Sequence, residues 1–275
     1  MASSSEPLAL IAGSSQMPSI VARQARARGR RVTVLAIRGI TDTAVGDAAD
    51  EIRWLDWGDV NGFLELLGEL GQNGVREAVM AGKVEQQRIY EATGAGKLES
   101  LLEEIPVRHT DALIKTVANL LAAAGIDLVS SMEFLDGLLV AAGTLTQRSP
   151  NEREMADIEH GWKVAKALGG LDIGQAVVVK ELAVVAVEAM EGTDACILRA
   201  GLLAGPGTVV IKVAKPRQDP RFDLPVVGMG TVASMSDAGA TALAIEADRT
   251  VVFDRERVQA EADVRDLAIV SRRLG

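Results

Sequence analysis

The stretch LALIAGSSQMP, Leu8 to Pro18, decides how the first half of the chain is read. Five apolar residues end in a glycine, two serines and a glutamine, and Pro18 follows where a helix would begin. Proline is tolerated in a first helical turn, because its missing N–H has no intrahelical partner there. The pattern is strand, tight turn, helix, with the amphipathic segment running on to Gly29. Similar units follow. RVTVLAI (31–37) and Ile52 to Leu55 read as strands, Val60 to Leu70 as a helix, and VREAVMAG (75–82) as a strand closed by glycine. Asp111 to Ala124 is helical in pattern, and IDLVSS (126–131) reads as another strand. Repeated βα units of this length predict a parallel sheet covered by helices.

The second half has a different rhythm. Ser149-Pro150-Asn151 marks a turn and the start of a long helix ending at Leu168. Two adjacent apolar runs, QAVVVK (175–180) and LAVVAV (182–187), suggest a hairpin and hence a mixed sheet. A short helix, the strand TVVIKVA (208–214), a polar loop from Lys215 to Arg221 and further short α/β elements complete the chain. The expected fold class is α/β in two domains, a parallel-sheet domain over 1–134 and a distinct mixed α/β domain over 135–275.

Composition narrows the function. A 275-residue chain with a net charge of −9 is a poor ligand for nucleic acid, which demands clustered cations. Only eight residues are aromatic, which also weakens a base-stacking platform. The single cysteine, Cys196, fits a reducing compartment, and its apolar neighbours predict a buried, inert thiol. MASSSEPLALIAG lacks a basic n-region, and no apolar run reaches membrane-spanning length, so cytoplasmic residence is expected, with contact at a membrane surface still open.

The turn Gly13-Ser14-Ser15 is not a dinucleotide fingerprint, because the second and third glycines are absent. Its N–H groups and two hydroxyls suit a phosphate or a ribose, although an ordinary βα turn is the plainer explanation of this segment alone. Gly82-Lys83, closing a later strand, offers close approach and one positive charge. In the second half VEAMEGTDA (187–195) places Glu188, Glu191 and Asp194 within seven positions. Thr193 as a helix cap and Asp194 in the first turn have a structural explanation. Glu188 and Glu191 do not. Lys212 stands inside an apolar strand, where it is costly unless its ammonium finds water, a carboxylate or a phosphate. An ion pair with Glu188 or Glu191 is the plain solution. The chemical reading has carboxylates hold Mg²⁺ or Mn²⁺ while lysines bind phosphate oxygens. Zinc is disfavoured, since His109 and His160 are the only histidines and lie far apart. The residues alone lead to a two-domain cytoplasmic α/β protein that binds a phosphorylated ligand.

LALIAGSSQMP, VREAVMAGKV (75–84), DIGQAVVVK (172–180), VEAMEGTDA and VIKVAKPRQDPRFDLPVVG (210–228) together resemble the bacterial UDP-2,3-diacylglucosamine pyrophosphatases of lipid A biosynthesis, of the α-proteobacterial type unrelated to metallophosphoesterases. The resemblance runs from Leu8 to Val270 and weakens between Val84 and Thr110. It implies an N-terminal Rossmann-like domain and a distinct C-terminal catalytic domain. It implies divalent-metal-dependent hydrolysis of UDP-2,3-diacylglucosamine to UMP and 2,3-diacylglucosamine 1-phosphate, with water directed onto the uridine-side phosphorus. It further implies transient contact with the inner-membrane surface and a homodimer. By the same likeness Asp223, Asp194 and Glu191 are catalytic and metal-holding residues. Gly13, Ser14, Gly82, Lys83, Gln175, Thr193, Lys212 and Lys215 match substrate-facing positions. Relatives often carry three glycines where this chain has Gly-Ser-Ser, so a positive φ there would be strained. Two rivals stand beside this expectation: a non-hydrolytic nucleotide-sugar sensor, and phosphoryl transfer to an acceptor.

Overall fold

The computed structural model describes residues 6–83, 110–135, 137–216 and 224–273. They fall into two compact units that divide between 135 and 137. The first contains β1 (Pro7–Ala12), α1 (Met17–Ala27), β2 (Arg31–Ile37), β3 (Glu51–Leu55), α2 (Val60–Gln72), β4 (Glu77–Ala81), α3 (Thr110–Ala123) and β5 (Asp127–Leu128). All strand pairs are parallel, in the order β3-β2-β1-β4-β5. The expected parallel sheet is therefore present. β1 lies at its centre, and Leu8, Ala9, Leu10 and Ala12 are wholly buried, as expected of a strand covered on both faces. α1 turns Met17, Val21, Ala22 and Ala25 inward at helical spacing.

Two local details depart from the sequence reading. IDLVSS yields only the two residues of β5, because the Ser130 hydroxyl accepts the Met132 N–H and starts a 3-10 turn at Ser131–Phe134. Another 3-10 turn, Thr43–Ala48, follows β2 and is capped by the Asp42 carboxylate on the Ala44 N–H.

The second unit contains β6 (Gly143–Thr144), α4 (Glu152–Gly170), β7 (Ala176–Lys180), β8 (Ala183–Val187), α5 (Thr193–Ala204), β9 (Val209–Lys212), β10 (Val226–Val227), α6 (Met229–Asp237), β11 (Ala242–Glu246), β12 (Val251–Val252), α7 (Arg255–Val264) and β13 (Ala268–Arg272). Its main sheet runs β6-β13-β11-β9-β7-β8, with β10 and β12 forming a separate parallel pair. β9, β11 and β13 are parallel, while β7 is antiparallel to both β8 and β9. The predicted hairpin and mixed sheet are both there. Val177, Val179, Val209 and Ile211 face Ile158, Trp162 and Ala165 of α4. The alternate residues Val178 and Val210 face the opposite layer, built from α5, α6 and α7.

The hairpin turn lacks the usual chemistry. Glu181 and Leu182 both have positive φ, 51° and 62°, where glycine and asparagine are preferred. The wholly buried carboxylate of Asp157 on α4 accepts both of their N–H groups, at 3.1 and 2.6 Å, and holds the strained turn.

α4 begins in a reciprocal cap. Asn151 Oδ1 accepts the Glu154 N–H at 2.9 Å, and Glu154 Oε2 accepts the Asn151 N–H at 2.8 Å. Arg148 forks the same buried carboxylate at 2.8 and 3.1 Å and also donates to the Thr241 carbonyl. Burial alone would raise the Glu154 pKa. The Arg148 guanidinium and the Asn151 N–H outweigh it and hold the group below the usual carboxylate range. A carboxyl depressed in the folded state stabilises fully above its unfolded pKa, and that contribution disappears as pH falls through the folded value. Glu154→Gln is expected to lower neutral-pH stability by about 3 kcal/mol, as when one partner of a buried pair is removed. It should also flatten the acid limb of a denaturation series run from neutral pH downward.

Candidate active site

In an open parallel sheet, ligands collect beyond the carboxyl ends of the strands, where strand order reverses. In the first unit that point lies between β1 and β4, and the turns that follow them carry Gly13, Ser14, Gly82 and Lys83. The two turns clasp each other. The Gly13 N–H donates to the Ala81 carbonyl at 2.8 Å, Ser14 N–H to the Lys83 carbonyl at 2.7 Å, and Lys83 N–H to the Ser14 carbonyl at 3.0 Å. The Ser14 hydroxyl donates to the Lys83 carbonyl as well, at 2.9 Å. A Cβ on Gly13 would lie 2.5 Å from the Lys83 oxygen, and one on Gly82 would lie 2.5 Å from the Ser14 oxygen. Gly82 also has a φ of +96°. Both glycines are thus required by the approach of one turn to the other, whatever ligand they meet. Of the two serine hydroxyls, Ser14's is given to this clasp, while Ser15's accepts the Met17 N–H at the start of α1. Ser15 has a φ of 85°, so the expected strain falls on this serine.

In the second unit β8, β9 and β11 end at the same edge of the sheet, where β7 begins. Register places Glu188, Ala176 and Lys212 in one row. Ala176 pairs with Lys212, Val177 pairs with Val187, and the Glu188 N–H donates to the Ala176 carbonyl. Residues opposite one another share a face, so Lys212 and Glu188 flank the small side chain of Ala176 on the α5 side. Lys212 is 1% exposed, and its ammonium donates to the Val226 carbonyl at 2.8 Å. Glu188 is also buried. Its Oε1 accepts the Thr193 hydroxyl at 2.8 Å, and its Oε2 accepts the Gln175 N–H at 3.1 Å. The expected Thr193 cap is therefore corrected. Gly192, with φ 82°, caps α5, and Thr193 turns its hydroxyl back to Glu188.

Glu191 closes its own turn by accepting the Ala189 N–H at 3.0 Å, and it accepts Arg199 at 2.6 Å. Burial would raise its pKa, but the backbone N–H groups and Arg199 prevail and lower it. Asp194 lies in the first turn of α5, as expected, exposed and reached by the Thr231 hydroxyl of α6 at 3.4 Å. Lys215 pairs with Asp172 beyond α4, and its Cα would lie 3.2 Å from a Cβ on Gly169. Asp194 and Lys215 therefore follow the same sheet edge on opposite faces. Nearby, Lys166 donates to Glu246 at 2.6 Å and to the Ala214 carbonyl at 3.0 Å, while Glu246 accepts the Ala214 N–H at 2.8 Å. These bonds fix the chain just before Lys215. Gln175 Oε1 is buried without a hydrogen-bond partner. Asp223 lies outside the described residues.

The donor chemistry around this edge is oxygen. Cys196 is wholly buried, and burial pushes its thiol up to about 12, so it offers no thiolate. Among the described residues no three His, Cys, Asp or Glu side chains gather as a metal-holding group. Asp194, with one long hydrogen bond on Oδ1, fits a hard-cation ligand. Each Glu191 oxygen already accepts one hydrogen bond, from the Ala189 N–H and from Arg199, and keeps a further lone pair.

The sequence profile of the LpxI N-terminal domain matches residues 7–138, and that of the LpxI C-terminal domain matches residues 141–270. A relative from Caulobacter vibrioides, named UDP-2,3-diacylglucosamine pyrophosphatase LpxI, is 33% identical over 268 residues, covering 93% of this chain and 94% of its own. The chain belongs to the LpxI family. It is an enzyme, with pyrophosphatase activity of the LpxI type on the lipid A pathway, and the sensor reading gives way. Among the described residues no helix is long and apolar enough to cross a membrane.

The sequence reading offered Glu188 only as an ion-pair partner for Lys212, and it missed Asp172, Lys166, Glu246 and Arg199. A carboxylate closing an apolar strand was the one available signal, for Glu188. The others are joined to the site by contacts between elements that spacing does not reveal. For the LpxI clasp, Gly82→Ala must relieve both a positive φ and a backbone collision. It is expected to lower stability by about 2–3 kcal/mol, measured by denaturant unfolding of the full chain.

Proposed function

We propose that this LpxI family member hydrolyses UDP-2,3-diacylglucosamine to UMP and 2,3-diacylglucosamine 1-phosphate. Identity to the Caulobacter enzyme over nearly the full length of both chains is the observation that carries this reading. Water attacks the uridine-side phosphorus. A new P–O bond forms to the water oxygen, the bridging P–O bond breaks, and the lipid phosphate leaves with its electron pair. Asp223 takes the proton of the attacking water. Asp194 and Asp223 would hold Mg²⁺ or Mn²⁺, which supplies positive charge to the phosphoryl oxygens.

The remaining roles belong to the chain's own groups. Lys215 binds a phosphate oxygen by exchanging one anionic partner, Asp172, for another. The N–H groups opening α5 behind Gly192 suit an anion, as helix N-termini do. Within the first unit, the start of α1 and exposed Lys83 stand at the switch point and suit an anionic or ribosyl group. Glu191, held by Arg199, keeps closed the turn that precedes Asp194. The acyl chains draw the enzyme transiently to the inner-membrane surface, and the working form is a homodimer.

Asp223→Ala is expected to lower turnover by more than about 10³-fold with thermal unfolding unchanged. Chelation should stop UMP release by the wild-type chain, and re-addition of Mg²⁺ or Mn²⁺ should restore it. Mass analysis after reaction in ¹⁸O-water should find the label in UMP; label in the lipid phosphate refutes the direction of attack. Full turnover by Asp223→Ala removes Asp223 from the mechanism.

A further inference from the structure

We propose that Glu188 is a positioning residue of the hydrolytic site, its buried carboxylate holding the start of α5 against the start of β7; this rests on the pyrophosphatase reading above. Glu188 ends an apolar edge strand yet is only 7% exposed. Packing alone gives no reason for a carboxylate there, since an apolar side chain would fill a buried strand end without its desolvation cost. What the carboxylate does is join two elements. One oxygen takes the Thr193 hydroxyl at the first residue of α5, and the other takes the Gln175 N–H one residue before β7. Its own N–H is bonded to Ala176, so the strand end is fixed in the same register. The fit leaves little slack. A Cβ on Gly174 would lie 2.1 Å from the Glu188 carbonyl oxygen.

Two consequences bear on substrate. A hydroxyl has one proton, and Thr193 gives its proton to Glu188. Thr193 therefore has only lone pairs left to offer and cannot donate to a phosphate oxygen. Any anion at this end of α5 must be met by backbone N–H groups, which carry no side-chain cap. Those N–H groups and Asp194, the next residue, lie where the Glu188 bond sets them. Glu188 itself acts through Thr193 and Gln175 and need not touch the substrate.

The test is steady-state UMP release from UDP-2,3-diacylglucosamine with Mg²⁺, using the full chain. Glu188→Gln keeps the volume but replaces one acceptor with a donor, so the Gln175 N–H and the Thr193 hydroxyl cannot both be received as before. It is expected to lower kcat by about 10–100-fold, the scale of a displacement near 1 Å. KM should change less than kcat, because Glu188 acts through Thr193 and Gln175 rather than on the substrate. Thr193→Val should lower kcat similarly, and Thr193→Ser should recover most of that loss. The double variant Glu188→Gln/Thr193→Val should lose no more than the worse single variant, because both remove one bond. Wild-type kcat in a folded Glu188→Gln chain overturns the proposal, as do independent, multiplying losses in the double variant. Should Glu188→Gln fail to fold, the Thr193 pair decides: unchanged kcat in Thr193→Val overturns it. A wild-type chain that releases no UMP overturns the pyrophosphatase reading and this proposal with it, and is recognised before any variant is compared.

Discussion

A lysine ammonium that is almost wholly shut off from water must find oxygen atoms, because an unpaired buried charge costs several kcal/mol. Lys212 imposes that condition at the end of β9. The Val226 carbonyl, in β10, supplies one of those oxygen atoms. α6 follows β10, and its Thr231 reaches Asp194 at the mouth of α5. One buried charge thus ties β9 to β10, beside the helix that reaches Asp194.

Around that point the site is assembled by pairing charges before any ligand arrives. Lys215 has Asp172, Glu191 has Arg199, and Glu188 has a hydroxyl and an N–H. Each arrangement lowers the cost of partly buried charge and limits where the group can point. Preorganised groups of this kind need little rearrangement when charge develops at phosphorus. The first unit uses a different device with no charge at all. Two glycine turns share backbone hydrogen bonds, which fixes the carboxyl ends of β1 and β4 relative to one another.

Much of the fold was legible because apolar periodicity is a local property. β1 to β4, α1, α2, α4 and the β7–β8 hairpin could be read from runs of Val, Ile, Leu and Ala. The failures came where a side chain competes for the backbone. Ser130 shortened β5, and Asp42 built a turn that no hydrophobic pattern marks. The hairpin was legible from its strands but not from Glu181-Leu182, since its support comes from Asp157 on another element. The site was legible as a set of residue types. Sequence could not tell that Thr193 turns back to Glu188 rather than capping α5, or that Gly13 and Gly82 are small because of each other. Lys212 drew attention as an oddity in an apolar strand, and the Val226 carbonyl that it meets leaves no trace in a pattern of side chains.

The order of strands in the second unit also governs how it comes into being. β13 occupies a place between β6 and β11, with Ala268 to Ser271 buried, so the sheet has a gap until residues near 270 have been synthesised. Among the described residues β6, formed from residues 143 and 144, pairs only with this late strand. The nascent chain therefore carries an unpaired β6 and, later, an open β11 edge until β13 has been made, and unpaired strand edges favour aggregation. By contrast β1 to β5 are all in hand by residue 128, so the first unit can mature while its companion is still being made.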